Sequence, residues 1–312
     1  MRKAVKVGFI LLVLGVLLAI FGIANQGLQT VYWANHRFRI AHQTTQTYHP
    51  KTIKSLTLAT NLKVTVKSGN TATIKVTTNA IAAKKPRVTI KTGQVIIKSK
   101  VPEDISMVGF NLQPLATPRI VITVPRQTHL TKLTTTTDQG AVQLNDLTIK
   151  QLTLNNYGAT RLRNVTTTKP LVAKPTSRLQ LTNVTASSLK LTNSDARTAI
   201  ANSHFQQQQS SLTTVSGAIT ISQTTFKQAQ IKSGTGNITL SANQVQNKLT
   251  VTNRHGQIKA KVPRNTGIQA TSTSGSLHIF NWHGHHHYRY RPNATSQYQL
   301  TTDTGRIAVS AN

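Results

Sequence analysis

The side chains with the most unusual chemistry lie near the C-terminus, where residues 282–292 read WHGHHHYRYRP. Imidazoles two residues apart share one side of an extended segment, and Zn, Ni and Cu accept such ligands. The histidines are His283, His285, His286 and His287. The segment also holds rings and guanidinium groups that can stack on sugars or contact phosphate oxygens. These are Trp282, Tyr288, Arg289, Tyr290 and Arg291.

A third interpretation of this segment is a solvated hairpin tip at one end of the folded domain, and the sequence favours it. The segment belongs to an insertion, residues 281–292, that interrupts a regular repeat. We therefore predict no metal site and no cofactor, and keep the four histidines only as candidates. The aromatic and arginine side chains remain candidates for contact with an anionic glycopolymer.

Acidic side chains, which most hydrolytic sites require, are scarce. Asp138, Asp195 and Asp303 stand one or two residues before equivalent turns, where aspartate is common. Glu103 and Asp104 are adjacent in a proline-flanked segment that we interpret as a solvated loop. The chain has no GxSxG elbow, P-loop or GxGxxG motif. No catalytic residue is predicted, and an enzyme acting on polysaccharide ranks third among the functional hypotheses.

The overall charge is strongly positive, because 37 lysines and arginines face only six acidic residues, which gives a net charge of +31. Such a chain is expected to be drawn to polyanions. A hydrophobic fraction of 38% over 312 residues indicates a folded protein rather than a basic tail. The absence of cysteine excludes disulfides and thiolate metal sites.

The elements that must position these side chains are repeats of about 20 residues, seen most clearly in residues 212–240. Each unit has a turn position, usually glycine, with inward positions two and four residues later. Only Thr160 and Thr198 among these inward positions are not apolar. The turn positions are Gly140, Gly158, Ser177, Ala196, Gly217, Gly236, Gly256, Gly275 and Gly305.

This period predicts one supersecondary unit stacked on itself, and the apolar spacing of two excludes helix. We predict an all-β fold, a β-solenoid of about nine rungs over residues 129–312. Glycine at the turn position indicates positive φ, so the turns at Ser177 and Ala196 should differ from the others. Residues 51–128 are predicted as lead-in strands, with residues 102–118 as a loop.

The N-terminal segment has the composition of a membrane span. Residues 7–24 are uncharged over 18 residues, roughly 27 Å of helix. Basic residues before them favour a cytoplasmic N-terminus. We predict a basic tip and signal anchor over residues 1–24, a juxtamembrane stalk over residues 25–50 and an extracytoplasmic C-terminal domain. A cleaved signal peptide is the alternative, since Gly22-Ile23-Ala24 is a small-x-small pattern.

The run VPRQTHLTKLTTTTDQGAVQLNDLTIKQLTLNNYG, residues 124–158, resembles the bacterial "putative adhesin" family of cell-surface proteins, also called DUF4097. The Val-Pro cue recurs at Val262-Pro263, and the strands in IKSLTLATNLKVTVKSG are similar to the opening of that family. The resemblance covers residues 50–312 and implies a β-solenoid-like fold on the surface of a Gram-positive bacterium. It transfers no functional residues. Ser177, Ala196 and the His-rich insertion depart from the family pattern.

Together these observations favour a single-pass, extracytoplasmic, non-enzymatic interaction protein. Its expected partners are the membrane, through the N-terminal helix, and anionic wall polymers or an anionic lipid surface. The alternative is an envelope-stress or assembly accessory protein whose charge is incidental. Nucleic acid is not an expected partner, because the chain carries an apparent export segment.

Overall fold

A computed structural model describes residues 2–24, 31–34, 37–40, 43–79, 86–99, 105–108 and 117–312. The chain divides into two compact units. Unit 1 is Met1–Gln46, Thr77–Lys85 and Val101–Pro118, and unit 2 is Thr47–Val76, Pro86–Lys100 and Arg119–Asn312. The acidic pair Glu103 and Asp104 lies outside the described residues. The predicted boundaries at residues 24, 50 and 128 stay predictions.

The described residues form one helix and many short strands, as the alternation of apolar and polar residues predicts. Helix α1 spans Arg2–Ala24. The strands in chain order are β1 Val31–Ala34, β2 Arg37–Ile40, β3 Gln43–Tyr48, β4 Ser55–Ala59, β5 Lys63–Gly69, β6 Thr73–Asn79, β7 Arg87–Lys91, β8 Gln94–Lys98, β9 Ile105–Val108, β10 Arg119–Pro125, β11 Leu130–Thr137, β12 Val142–Asn156, β13 Thr160–Thr167, β14 Leu171–Pro175, β15 Leu179–Ala186, β16 Leu189–Asn193, β17 Thr198–Ala201, β18 His204–Thr214, β19 Ile219–Ser222, β20 Thr225–Ser233, β21 Ile238–Ser241, β22 Gln244–Val245, β23 Lys248–Asn253, β24 Ile258–Val262, β25 Gly267–Ile279, β26 Trp282–Tyr290, β27 Gln297–Thr302 and β28 Ile307–Ala311.

Unit 1 contains α1 and a small antiparallel sheet in the order β2-β1-β9. By length and composition α1 can cross a membrane over Ala4–Gly22, where its mean hydropathy is 2.7. Strand β9 corrects the prediction of a loop over residues 102–118. Its pairing partner, around Trp33, lies some seventy residues earlier in the chain, so local periodicity does not reveal it. Strands β1, β2 and β3 lie in the predicted stalk.

Unit 2 is a solenoid in which strands of successive repeats pair in parallel and in register. We call ladder A the strands that follow the turn positions. In ladder A, Val142 pairs with Thr160, Thr160 with Leu179, and the register continues to Ile258. Every predicted inward position is buried, including Thr160 and Thr198. The stacking of units of about 20 residues is therefore observed directly.

The chain order of the rungs is broken at both ends of the solenoid. At the C-terminal end, Ile307 pairs with Ile258 on one side and with Leu277 on the other. The last strand of the chain thus lies between the units of Gly256 and Gly275, which a simple stack of successive units does not anticipate. At the N-terminal end, β5 lies in the same way between β10 and β12.

The strands that precede the turn positions form ladder B, which has the same order. Strand β4 lies between β8 and β11, and β27 lies between β23 and β25. Both chain ends of the solenoid therefore contribute a strand to each ladder inside the stack. Strands from outside the repeats join both ladders, so the count of nine rungs stays a prediction about the repeats alone.

An antiparallel hairpin covers each end of the solenoid. Strand β7 pairs with β8 at one end, and β26 pairs with β25 at the other. An uncovered end rung would expose backbone groups to pairing with another chain. The His-rich segment, predicted as a solvated hairpin tip, is instead β26, the outer strand of the C-terminal hairpin.

Glycine at the turn position is explained by close packing between rungs. Among the described glycines, only Gly93 has positive φ, and it lies outside the repeats. A Cβ on Gly236 would meet the carbonyl oxygen of Gly217 in the neighbouring rung. The predicted need for positive φ is therefore wrong, and Ser177 and Ala196 do not differ from the glycines in this respect.

Positive φ occurs instead at a second corner, six residues after the turn position. Asp146, Asn164 and Asn183 have φ of 56°, 53° and 54°. Aspartate and asparagine enter this conformation more readily than most residues. Asn164 Nδ2 donates to Asp146 Oδ1 at 2.7 Å, and Asn183 Nδ2 donates to Asn164 Oδ1 at 2.9 Å. The side chains of this corner thus link successive rungs.

The two polar residues at inward positions have dedicated partners. Asn156 Nδ2 donates to Thr160 Oγ1 at 3.0 Å, and Asn193 Nδ2 donates to Thr198 Oγ1 at 3.4 Å. All four residues are buried. A buried amide without an acceptor is costly, and these two threonines supply the acceptors for Asn156 and Asn193.

Candidate functional site

Positive charge lies on the outside of the protein throughout the described residues. The buried polar side chains are all threonine, serine or asparagine, so no described lysine or arginine is buried. Ladder A carries two cation pairs at alternate positions, Arg161 with Arg163 on β13 and Lys259 with Lys261 on β24. All four side chains are exposed. The strand alternation therefore places this charge outward at fixed spacings.

Acidic side chains do little to neutralise this charge. Asp146 accepts its hydrogen bond from Asn164, a neutral amide. Asp195 Oδ1 accepts a short hydrogen bond from Ser216 Oγ. Hydrogen bonds from Ser216 and then Ser194 lower the pKa of Asp195. Both carboxylates are thus held by uncharged groups rather than by lysine or arginine.

The three aspartates before turn positions lie at one corner of the solenoid but far apart along it. Three rung steps separate Asp138 from Asp195, and four separate Asp195 from Asp303. At about 4.8 Å a step, these separations are about 14 Å and about 19 Å. Carboxylate pairs that hydrolyse glycosides lie about 5–9.5 Å apart. These aspartates do not form such a pair.

Strand β26 wraps around the end rung of the solenoid and turns at His286. Residues 282–285 pair with residues 276–279, and residues 287–290 pair with residues 268–271. His286 lies between the two paired segments and has φ of 66°. The strand therefore covers the ends of both ladders.

The aromatic side chains of β26 face the core. Trp282, Tyr288 and Tyr290 pack against the hydrophobic core, and the rings of Trp282 and Tyr288 stack with centroids 4.3 Å apart. Three of the five candidates for ligand contact thus help to close the end of the core. Arg289 and Arg291, the other two, are exposed.

The histidines of β26 lie on its solvent side, and His283, His285, His286 and His287 are all exposed. His285 Nδ1 lies 3.3 Å from the carbonyl oxygen of Gly275, and His287 Nδ1 lies 3.4 Å from Thr271 Oγ1. In the part of the chain that the structure describes, no three histidine or acidic side chains come together as metal ligands. The hypothesis of metal capture finds no geometric basis there.

A groove of 440 Å³ lies beside β26, on the outer side of ladder A. Lys259 and Lys261 of β24 line one side and His278 of β25 lines the other, with Ala308 of β28 between them. Arg306 lines the same groove. None of its described lining residues is acidic. The groove therefore has three cationic side chains and, among its described lining residues, no acidic side chain that could neutralise them.

His278 is fixed by its neighbours. Arg306 Nη2 donates to His278 Nδ1 at 3.2 Å, and a guanidinium cannot accept, so the ring proton lies on Nε2. The rings of His278 and His283 meet edge to face with centroids 4.5 Å apart. Desolvation lowers the pKa of His278, followed by the charges of Arg306, His283 and His285. His278 thus contributes a neutral N–H donor.

Nothing in the sequence marks the groove residues as a site. Lys259, His278 and Ala308 each stand three residues after a turn position. A stack in chain order would put Lys259 directly beside His278. The inserted last strand places Ala308 between them. The equivalence of the three positions was visible in the sequence, but their spatial order was not.

Several solved structures are similar to this chain. A "putative adhesin" from Parabacteroides merdae is 9% identical, covers 89% of this chain and 98% of its own, and gives a TM-score of 0.49. A "putative adhesin" from Bacteroides fragilis is 12% identical, with coverages of 87% and 97% and a TM-score of 0.40. A "putative lipid binding protein" from Parabacteroides distasonis is 11% identical, with coverages of 87% and 97% and a TM-score of 0.43. Similarities this low support no transfer of function. No curated protein sequence matches the chain.

A family model matches residues 53–310, which is most of the chain. The match runs from the lead-in strands to β28 and therefore includes the strands of both ladders. It confirms the resemblance seen in residues 124–158. The chain belongs to the Toastrack DUF4097 family.

Proposed function

We propose that this protein is a membrane-attached surface protein that binds anionic polymers of the cell envelope without transforming them. The observation that carries the proposal is the outward positive charge. Against 37 lysines and arginines there are six acidic residues, and no described cation is buried. A surface of one sign attracts polymers of the other sign and raises their local concentration.

The solenoid gives this charge a regular arrangement. Parallel in-register strands repeat at about 4.8 Å, so outward cations occupy fixed positions along ladder A. The pairs at Arg161 and Arg163 and at Lys259 and Lys261 are examples. A polymer with charges along its length can contact several such positions at once, and the individual weak attractions then add.

Attachment to the membrane is supported by α1. The helix carries an apolar span over Ala4–Gly22, and basic residues at its start favour a cytoplasmic N-terminus. We expect the protein purified from native membranes to retain this helix. N-terminal sequencing of that protein tests the point, and a mature chain beginning just after Ala24 would replace the anchor with a cleaved signal peptide.

A non-catalytic role is supported by the wide separation of Asp138, Asp195 and Asp303. Replacing each aspartate singly by asparagine is expected to cause only small losses of stability, because the side chains lie exposed at turns. A polysaccharide-degrading activity in the native protein that any one of these substitutions abolishes would contradict the proposal.

Salt dependence tests the binding proposal. The full chain in zwitterionic nanodiscs is mixed with purified cell wall, and the bound fraction is measured from about 0.1 M to about 1 M salt, where the Debye length falls from about 10 Å to about 3 Å. We expect a steep loss of binding, and little binding to wall stripped of its anionic polymer. Salt-insensitive binding, or none to intact wall, would contradict the proposal and favour the accessory role.

A further inference from the structure

We propose that the groove bounded by β24, β28, β25 and β26 is a binding site for a phosphoryl group carried by an ester. The inference rests on the proposed function and assigns a specific chemistry to one place on the basic surface. Its basis is the set of residues Lys259, Lys261, Arg306 and His278 around a cavity of 440 Å³. No acidic side chain is among the described residues that line this cavity.

The spacing of the strands suits a small oxyanion. Lys259 and His278 both pair with Ala308, on opposite sides of β28. Their backbones are therefore two strand steps apart, about 10 Å. Ala308 is small and leaves the space between them open, so donors on either side can reach one anion.

The donors are of different kinds and all are suited to phosphate oxygens. The lysine ammonium groups act as point charges, and a guanidinium can present two parallel N–H groups to an oxyanion. Arg306 is oriented by its hydrogen bond to His278 Nδ1 at 3.2 Å. His278 keeps its own proton on Nε2. A phosphoryl group offers more acceptor oxygens than a carboxylate, so it satisfies this set more fully.

The groove also has an apolar part, which favours an ester over free phosphate. Phe280 lines the groove beside the cations, and its ring meets Tyr290 edge to face with centroids 5.2 Å apart. Carbon atoms next to the phosphoryl group can therefore be covered by the aromatic surface. A polymer of phosphodiester units and a phospholipid headgroup both present this chemistry.

A second cation pair on ladder A provides a matched control. Arg161 and Arg163 on β13 are exposed at alternate positions, as are Lys259 and Lys261. The two pairs therefore contribute the same charge to the same outer side. Arg161 Nε donates to Gln180 Oε1 at 3.0 Å, and neither arginine lines the groove.

Charge removal is the first test. The full chain in zwitterionic nanodiscs, with labelled histidine, is titrated with glycerol phosphate at constant ionic strength and followed by NMR at His278. We expect saturable shifts, at least about fivefold weaker binding in Lys259→Gln/Lys261→Gln, and less than about a twofold change in Arg161→Gln/Arg163→Gln. Equal effects of the two double variants, or no saturable shift in the native protein, would overturn the proposal.

Filling the groove without changing charge is the second test. Ala308→Leu places a larger side chain between Lys259 and His278 and is expected to abolish glycerol phosphate binding. Ala199→Leu is its control, because Ala199 is half-buried in the same register row of ladder A. Binding by Ala308→Leu at native affinity would overturn the groove as the site, while binding by Ala199→Leu should stay native.

Further arms identify the source of the phosphoryl group and separate the two proposals. Inorganic phosphate, a poly(glycerol phosphate) and vesicles with or without phosphatidylglycerol are compared with glycerol phosphate. If inorganic phosphate binds more weakly than the esters, the inference is supported. If inorganic phosphate binds equally well or more tightly, the preference for an ester is wrong.

Glycerol phosphate binding without wall binding would retain the groove and reject the proposed function. Wall binding that both double variants weaken equally would reject the groove and retain the proposed function.

Discussion

The middle of the solenoid and its two ends are built from the same kind of rung but assembled by different rules. Between Val142 and Ile258 each unit pairs with the next unit of the chain. At the ends, the first and last rungs of the chain lie one position inside the stack, between other rungs. The outermost rungs then carry antiparallel hairpin strands.

This difference shows that a repeated strand pattern determines how rungs stack but does not determine which rung comes last. In the middle, every rung has neighbours of the same shape on both sides. At the ends, an antiparallel hairpin strand covers the outermost rung and prevents it from continuing the stack with another chain. The only groove for which we propose specific binding lies at such an end, where Ala308 enters between Lys259 and His278.

The strongest test of this comparison removes a rung from each region. Ending the chain at Ser296 deletes the inserted rung, with its buried Tyr298, Leu300, Ile307 and Val309. Losing each such side chain costs about 2–5 kcal/mol, so we expect the C-terminal end to lose cooperative folding. Excising residues 217–235 instead joins one turn to the next equivalent turn and should lower Tm by less than about 10 °C. Scanning calorimetry compares them, and a truncated chain more stable than the excised one would refute the comparison.

Close packing at turn positions gives a smaller effect. In Gly236→Ala the new Cβ meets the carbonyl oxygen of Gly217, so we expect a loss of about 1–3 kcal/mol in the free energy of unfolding. Ala196→Gly is the matched control at the same position of another rung, and should cost no more than about 1 kcal/mol. Urea unfolding measures both. Equal stability of Gly236→Ala and the native chain would show that the rungs can separate at no cost.

The paired polar residues of the middle rungs give a comparable or smaller effect. Thr160→Val keeps the shape but leaves the buried Asn156 amide without its acceptor, and should cost about 1–3 kcal/mol. Thr160→Ser retains the hydroxyl and serves as the control. If both variants unfold at the same urea concentration, the hydrogen bond between Asn156 and Thr160 does not stabilise the fold.

Acidification should have the smallest effect. The pKa of Asp195 is lowered in the folded protein, so the ionised carboxylate stabilises the fold above the ordinary pKa of 3.8. This stabilisation is lost only as the pH falls through the folded-state pKa of Asp195. The pKa of His278 is also lowered, so the unfolded chain takes up its proton first as the pH falls below 6.5, and stability declines slightly.

We therefore expect Tm to be nearly flat from about pH 7 to about pH 4 apart from histidine effects, since few ionised acids can lose partners. His278→Gln should reduce the slight decline, because the lowered pKa of His278 is its cause. Calorimetry across this range measures the effect. A cooperative acid transition near pH 4–5 in the native chain would contradict this expectation.

Part of the site could be anticipated from the sequence and part could not. The His-rich insertion was apparent in the sequence, because it interrupts the regular repeat. Its conformation was not, because the alternation of Trp282, Gly284, Tyr288 and Tyr290 against exposed residues is broken at His286, where the strand turns. The glycines were located correctly but explained wrongly, because a contact between rungs leaves the same sequence signal as a positive φ.

The sequence by itself determined the period of the repeat, the buried positions, the apolar helix and the positive exterior. These follow from local alternation, which records whether each side chain faces the core or water. Only the tertiary structure decided which rung lies beside which, and so created the groove around Ala308. The physical reason is that rungs of equal length with similar inward residues offer nearly equivalent surfaces for pairing. Which rung lies beside which is therefore decided by the arrangement of the whole solenoid and not by local sequence.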